Sequence, residues 1–372
     1  MSAVAAPRSL RRRLRHLDWV FLVCTLTLVA LGTVVVTSAT STPDQPLGLL
    51  RPRLVHVVVG LFVLAGFAAV PYRSLGQVWK ALYGGNLALL ALTDLVGRAA
   101  LGAQRWLTLG PVSLQPSELS KLALIVTLAW TLSHRREPFT RPADLLPYLL
   151  HAVPPFVLVF LQPDLGTSLV FAAIVLGMLW AAGVPRRHLG GLVAAGLLAA
   201  PLLWPLLKPY QRMRLVVFVD PGLDPLGAGY NLIQSKIAIG SGGLWGKGLF
   251  AGTQNTLQFL PMQHTDFVFA VIGEELGFVG TVAALVLFWA WCVRGLRVAS
   301  VARDDFGRYL CVGVVSMVAF HTLVNVGMTV GLAPTTGIPL PFVSYGGTSL
   351  LVNLAGAGLV LGVGLRRSKI LF

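Results

Sequence analysis

Charge is what this chain has least of. Only 12% of its 372 residues are charged, 14 of them are acidic, and 55% are hydrophobic. With a mean hydropathy of +0.77, that composition excludes an ordinary soluble domain, about a quarter of whose residues are charged. The chain is an integral membrane protein. Cysteine is scarce as well: Cys24, Cys292 and Cys311 fall in apolar stretches, with no CxxC spacing among them. This excludes a disulfide framework and a zinc site, and leaves them packing roles. Repeats of fixed period, low-complexity tails and an appended soluble domain are missing too. The formal charge of +15 could suit a nucleic-acid partner. The Lys and Arg residues instead sit in short clusters between apolar runs, which is how membrane topology is written, and nucleic acid is excluded as a partner.

What is present is a series of apolar windows. They lie near residues 19 to 40, 54 to 71, 77 to 96, 117 to 133, 144 to 161, 166 to 184, 189 to 207, 266 to 293, 307 to 332 and 348 to 365, bounded by Pro, Gly and charged clusters. The expected fold is therefore an all-α integral membrane protein of ten transmembrane helices, one polytopic domain over residues 1–372. The first window follows a basic head, "RSLRRRLRH", but is longer than a signal-peptide core and reads as a retained span. If the amino terminus is cytoplasmic, most of the 29 basic residues fall on the cytoplasmic side: the head, Arg73 with Lys80, Arg135, Arg136 and Arg141, Arg186 with Arg187, the cluster from Arg294 to Arg308, and the chain end. The positive-inside bias then places both termini in the cytoplasm. The long segment 208–265 between the seventh and eighth windows becomes an extracytoplasmic loop. Its stretch "LIQSKIAIGSGGLWGKGLF" is partly apolar, so part of it is expected to lie on or dip into the membrane surface.

Three of the few acids crowd the entry to the eighth window, "PMQHTDFVFAVIGEELGFVG". Counting about 20 residues back from Arg294 places Glu274 and Glu275 at the outer interface and Asp266 about 12 Å beyond it, if the helix continues unbroken. On a continuous helix the two glutamates cannot both share the face of Asp266. Asp266 is expected to face a site formed with other segments, and the glutamates to anchor the helix through loop cations or backbone donors. The ordinary use of Asp266 is as a helix cap. Its neighbours Gln263, His264 and Thr265, and the basic, Gly-rich loop before it, favour a chemical use.

Three further constellations reach the same outer side. "GAQRWLTLGPVSLQPSELSKLAL" brings Arg105, Gln115, Glu118 and Lys121; the bland account of the last two is a local i, i+3 ion pair at a capped helix entry. "LQPDLGTS" brings Asp164, a turn cap or a site residue in equal measure. "APTTGIPLPFVSYGGTSLL" brings Ser344, Tyr345, Thr348 and Ser349, which either bind sugar or line a helix interface.

Together these strings, with "PYQRMRLVVFVDP", "GYNLIQSKIAIGSGGLWGKGLFAGTQNTLQFLP" and "HTDFVFAVIGEELGFVG", resemble the SEDS family, the shape, elongation, division and sporulation proteins. They run in family order from about residue 102 to 365 and sit closer to the rod-shape elongation branch than to the division branch. Met262 stands where many relatives carry an acid, and Thr348 where Ser is commoner. The resemblance implies a ten-helix peptidoglycan glycosyltransferase that polymerises lipid II beside a class B penicillin-binding protein, in contact with membrane lipids of the bacterial inner membrane. It matches Asp266 to the family's essential acid, and Lys121, Glu118 and Asp164 to other important polar positions.

That chemistry suits the residues. Joining two lipid-linked sugars needs a base for the acceptor 4-hydroxyl and positive charge for the departing lipid diphosphate. The expected roles are Asp266 as base and Lys121 with Arg105 at the leaving group, with Arg212, Arg214 or Lys236 assisting from the long loop. Gln115, Glu118, Asp164, Ser344 and Ser349 complete the expected substrate contacts. A divalent cation, Mg or Mn, could share the leaving-group task; no metal ligands are assigned. The rival from another class is a lipid II flippase or ion-coupled transporter. Against it, the polar motifs gather on one side instead of continuing through the membrane.

Overall fold

The computed structural model describes residues 17–42, 45–100, 103–109 and 112–366. The basic head and the basic residues Arg367 and Lys369 lie outside the described residues. The helices are α1 (Trp19–Thr40), α2 (Leu50–Ala69), a short α3 (Tyr72–Gln77), α4 (Trp79–Val96), α5 (Pro116–Ser133), α6 (Leu146–Leu161), α7 (Leu165–Ala181), α8 (Arg186–Ala199), α9 (Pro209–Val219), α10 (Tyr230–Ser241), a single turn α11 (Thr253–Thr256), α12 (Val268–Ser300), α13 (Asp305–Val330) and α14 (Gly347–Leu365).

Each apolar window of the sequence coincides with one of these helices. Among the described residues, seven helical segments are long and apolar enough to cross a membrane: Trp19–Thr40, Leu50–Ala69, Pro142–Leu161, Arg186–Leu206, Val268–Ser300, Asp305–Val330 and Gly347–Leu365. The apolar Leu165–Ala181 is shorter. Polar residues dilute the other two, Asn86 and Asp94 in α4 and Glu118 and Lys121 in α5. An all-α chain was expected, and one feature departs from it. Between α4 and α5 lies a three-stranded antiparallel sheet, β1 (Arg98–Ala100), β2 (Ala103–Leu109) and β3 (Val112–Leu114), in that order. Its ladders satisfy backbone groups that a bare loop at the membrane edge would leave open.

The core is built around α13 and α14. Asp304 starts α13 by accepting the Gly307 amide at 2.8 Å, and Gly331 ends it in the left-handed conformation, φ 83°. α13 packs against α5, α7, α12 and α14. α14 lies almost wholly inside and leans on α2 through Gly358 and Gly362. A Cβ on Gly358 would stand 2.4 Å from the Leu64 carbonyl oxygen, so the small residues are what let the two backbones meet. Near the basic side, Asp18 caps α1 at the Phe21 amide and pairs with Arg294 of α12 at 2.7 Å. α8 buries none of its residues and stands at the rim.

The segment 208–265 is no featureless loop: it holds α9, α10 and α11, and α10 packs on α12 and α13. The entry to α12 also differs from the continuous helix assumed above. Asp266 precedes the helix in a run of turns, and Gly277 breaks it at φ 66°, ψ −163°. The helical-wheel angles between Asp266 and the glutamates therefore do not apply. The amides freed by the break are used: Phe278 donates to the Gly243 carbonyl at 2.9 Å and Val279 to that of Leu244 at 3.1 Å, while Lys247 and Gly248 donate back to Glu274 and Glu275. The 243–248 loop thus completes the interrupted ladder.

Candidate active site

The turns before α12, the loop between α13 and α14, the start of α14, β2, β3 and α9 enclose a cavity of about 690 Å³. This lies within the usual range of roughly 300–1,000 Å³ for ligand sites. Among its walls are Asp266, Arg214, Gln115, Ser349, His264 and Tyr345.

Asp266 is held there by its backbone. Three successive carbonyls of its turn are taken by other segments: His264 O accepts from the Tyr345 amide at 2.8 Å, Thr265 O from the Ser344 hydroxyl at 2.5 Å, and Asp266 O from Asn325 Nδ2 at 2.9 Å. The Asp266 amide donates back to Met262 O at 3.1 Å. The helix cap is Phe267, and no side chain caps the helix. The capping use of Asp266 is therefore not what the structure displays, and its carboxyl is left to the cavity. Burial pushes that carboxyl up from its ordinary value; Arg214, then a hydrogen bond from the Thr265 side chain, then Arg105 pull it back, while Asp164 adds to the rise. Burial also depresses His264, which keeps its ring neutral near pH 7.

Arg214 is the cation brought to this cavity. Its guanidinium donates to Thr335 O at 3.5 Å and lies 5.7 Å from the Tyr210 ring centre. Gly337 separates it from Asp266: a Cβ there would lie 3.6 Å from Asp266 Oδ2 and 3.7 Å from Arg214 Nη1. Both groups therefore come within ordinary contact distance of one point on the wall, and the φ of 75° is what favours glycine there.

The other expected residues divide. Gln115 and Ser349 are on the wall. Ser344 is behind it, with its hydroxyl committed to Thr265 O and to the Leu340 amide. Arg105 sits on the turn next door: it donates to Gln162 O at 3.1 Å and to Pro163 O, and reaches Asp164 Oδ1 at 3.8 Å. Asp164 caps α7, accepting from the amide and hydroxyl of Thr167. Lys121 and Glu118, expected at the substrate, are not brought to the cavity lining. They form a 2.6 Å ion pair whose side chains are 1% and 3% exposed, closed off further by His321 Nε2 at 3.0 Å from Lys121 Nζ. Such a buried charge survives only with its partner, which is the physical reason for the pairing. Arg212 turns away to Pro205 O, and exposed Lys236 lies over Gly331. Glu274 anchors the helix as expected, through Lys247 at 2.7 Å and the Gln254 amide at 3.0 Å, and Glu275 accepts from Ser38.

Some residues of the site escaped the sequence reading. Arg53, 1% exposed, donates to the carbonyls of Phe342, Val343 and Ser344 and fixes the loop behind the cavity; His56, one turn on, lines the cavity itself. Asn325 is fully buried in α13. The available signal was polar residues in apolar helices, Arg53 with His56 at i, i+3 and His321 with Asn325 at i, i+4. As for a metal, no three His, Cys, Asp or Glu side chains come together among the described residues. Among the described residues, Asp266 is the single carboxylate on the cavity wall. The residues do not form a cage for a divalent cation.

The family model for FtsW, RodA and SpoVE, described as cell cycle protein, matches residues 16–369. The peptidoglycan glycosyltransferase MrdB of Escherichia coli K12 is 41% identical over 358 residues, 95% of each chain. A probable peptidoglycan glycosyltransferase FtsW of Geobacter metallireducens is 35% identical over 365 residues, 95% of this chain and 96% of the other. Among solved structures, a chain from a peptidoglycan synthase complex that coordinates polymerization and crosslinking superposes with TM-score 0.80 at 40% identity, covering 95% of this chain and 99% of that one. The rod shape determining protein RodA of Thermus thermophilus does so with TM-score 0.72 at 35% identity, over 95% and 98%.

Proposed function

The chain belongs to the FtsW/RodA/SpoVE family and is a peptidoglycan glycosyltransferase, and we propose that it polymerises lipid II during cell-wall elongation with Asp266 as general base. The observation that carries this reading is the convergence of Asp266 and Arg214 on one cavity, both beside Gly337. In the proposed step the acceptor 4-hydroxyl oxygen attacks the donor's anomeric carbon. The bond from that carbon to the lipid diphosphate breaks, and the hydroxyl proton passes to the Asp266 carboxylate. Direct displacement turns an α-linked donor into a β-linked product. A carboxylate is a weak base for a sugar hydroxyl, so the proton moves late, and the raised pKa of Asp266 brings base and operating pH closer. Arg214 meets the charge growing on the departing diphosphate.

Lys121, Glu118 and Asp164 act in this reading through the frame: the first two lock α5 to α13, the last starts α7. Arg105 steadies the Pro163 turn and adds positive potential. Ser344 positions the turn, and Gln115 and Ser349 contact the sugar. No step is routed through a divalent cation, since a cation here would depend on the diphosphate for most of its ligands. In this reading the ten apolar windows span the inner membrane, and the charge clusters set both termini in the cytoplasm and the cavity at the outer face. A class B penicillin-binding protein is the partner that would crosslink the product; the synthase complex among the structural relatives supports that pairing.

The test is to incubate the purified protein with lipid II, alone and with that transpeptidase, and to resolve the products. A β-linked glycan ladder is expected. Movement of lipid II across liposomes without any polymer would overturn the reading in favour of a flippase.

A further inference from the structure

Asn325 lies at the middle of the geometry yet has no part in the chemistry described so far. It is fully buried in α13, 0% exposed. Its Nδ2 donates to two backbone carbonyls from different segments, Asp266 O at 2.9 Å and Ile338 O at 2.8 Å. The first belongs to the turn that carries the proposed base. The second sits beside Gly337, the residue that separates Asp266 from Arg214. Its own backbone is fixed in turn: Thr329 donates its hydroxyl to Asn325 O at 2.6 Å, and Ser235 of α10 donates to Thr329 O at 2.7 Å.

We propose that Asn325 is a positioning residue for glycosyl transfer: its amide fork ties the Asp266 turn to the Gly337 loop and so sets the distance between base and leaving-group cation. The inference rests on Asp266 being the base. The side chain must be Asn for a simple reason. A primary amide offers two N–H donors in a fixed fork, whereas the isosteric Asp offers only acceptors when ionised and would face two carbonyl oxygens. The orientation is equally determined, because turning the amide over would set its oxygen against both carbonyls. Ser344 and Tyr345 hold the two preceding carbonyls from another direction. Removing Asn325 therefore leaves the turn attached but lets its last residue drift. A drift of about 1 Å at the reacting geometry costs on the order of 10²-fold in rate.

The experiment measures lipid II polymerisation for Asn325→Ala, Asn325→Asp and Asn325→Gln in the full-length membrane protein, with Asp266→Asn alongside. The expected result is a fall in kcat of roughly 10- to 100-fold for Asn325→Ala at a KM within about twofold of the original. Asn325→Asp should be worse and Asn325→Gln, which keeps both donors on a longer arm, intermediate. Should Asn325→Ala not survive purification, the ordering of Gln above Asp in kcat carries the test. Folded Asn325→Ala with unchanged kcat, or a loss residing wholly in KM, overturns the inference. Asp266→Asn separates the two ideas: if it is inactive while Asn325→Ala is unaffected, only the positioning role falls, and if it retains activity the base assignment falls first.

Discussion

Asp266 and Arg214 come from different segments to opposite sides of Gly337 and line one cavity. An acid whose carboxyl is desolvated and a cation that partly offsets that desolvation form a coupled pair. Two consequences of that pair can be measured, and two more of the frame around it.

Removing the cation should change the base. Arg214 is the main influence holding the Asp266 pKa down against burial, so Arg214→Gln raises that pKa further. The acid limb of the rate profile then moves to higher pH. Activity falls by on the order of 10²-fold or more from loss of leaving-group stabilisation. Arg214→Lys keeps the charge and should lose less. A pH–rate profile checks this, and an unmoved acid limb would separate the two groups.

Burial of Asp266 also has a stability sign. Its folded pKa is raised above the unfolded one, so its contribution is fully present below the unfolded value and is lost as pH rises through the folded value. Wherever the group is ionised in the folded protein, it weakens the fold. Asp266→Asn should therefore melt at the same or a higher temperature than the original protein at pH 7, with the difference vanishing in acid. Thermal unfolding in detergent at two pH values decides it; a lower Tm at pH 7 would contradict the desolvated carboxylate.

The Glu118–Lys121 pair predicts non-additivity. Either truncation alone strands a buried charge and should cost about 3–5 kcal/mol, while the apolar double variant Glu118→Leu with Lys121→Met should cost less than either. Chemical or thermal denaturation of the three variants measures the coupling. Simple additivity would mean the pair is more hydrated than its 1% and 3% exposures indicate.

Gly277 predicts a local failure. A side chain there would hold the left-handed φ of 66° at a cost of about 1–3 kcal/mol, and its Cβ would stand 2.3 Å from the Gly246 amide nitrogen. Gly277→Ala should lower Tm and loosen the 243–248 loop, which limited proteolysis would register as new cleavage near Lys247. An unchanged digestion pattern would mean the helix closes over the break without the loop.

Much of the scaffold could be read from sequence because apolar windows of about 20 residues are strong signals. Strands β1 and β3, three residues each, are too short for any periodicity to register, seven-residue β2 between them lies in a stretch read as the approach to a helix, and the break at Gly277 looks like one more glycine in an apolar run. At the site, the chemistry of Asp266 and the family motifs singled out an acid that the structure places on the cavity wall. Which cation it meets depended on tertiary placement: the i, i+3 spacing of Glu118 and Lys121 was visible, but not that the pair, with His321, closes on itself away from the cavity. Arg214 was only an alternative to Arg212 and Lys236, the loop cations expected at the substrate, and it is α9 folding against the loop that holds Thr335 that brings it to the cavity.

The central claim is that the Asp266 carboxylate accepts the acceptor hydroxyl's proton. Its most direct measurement is polymer formation from lipid II by Asp266→Asn, compared with the original protein at equal amounts and with unfolding curves confirming that both are folded. Folded protein that makes no glycan chains is the result expected. Chains formed at the original rate by folded Asp266→Asn would contradict the account.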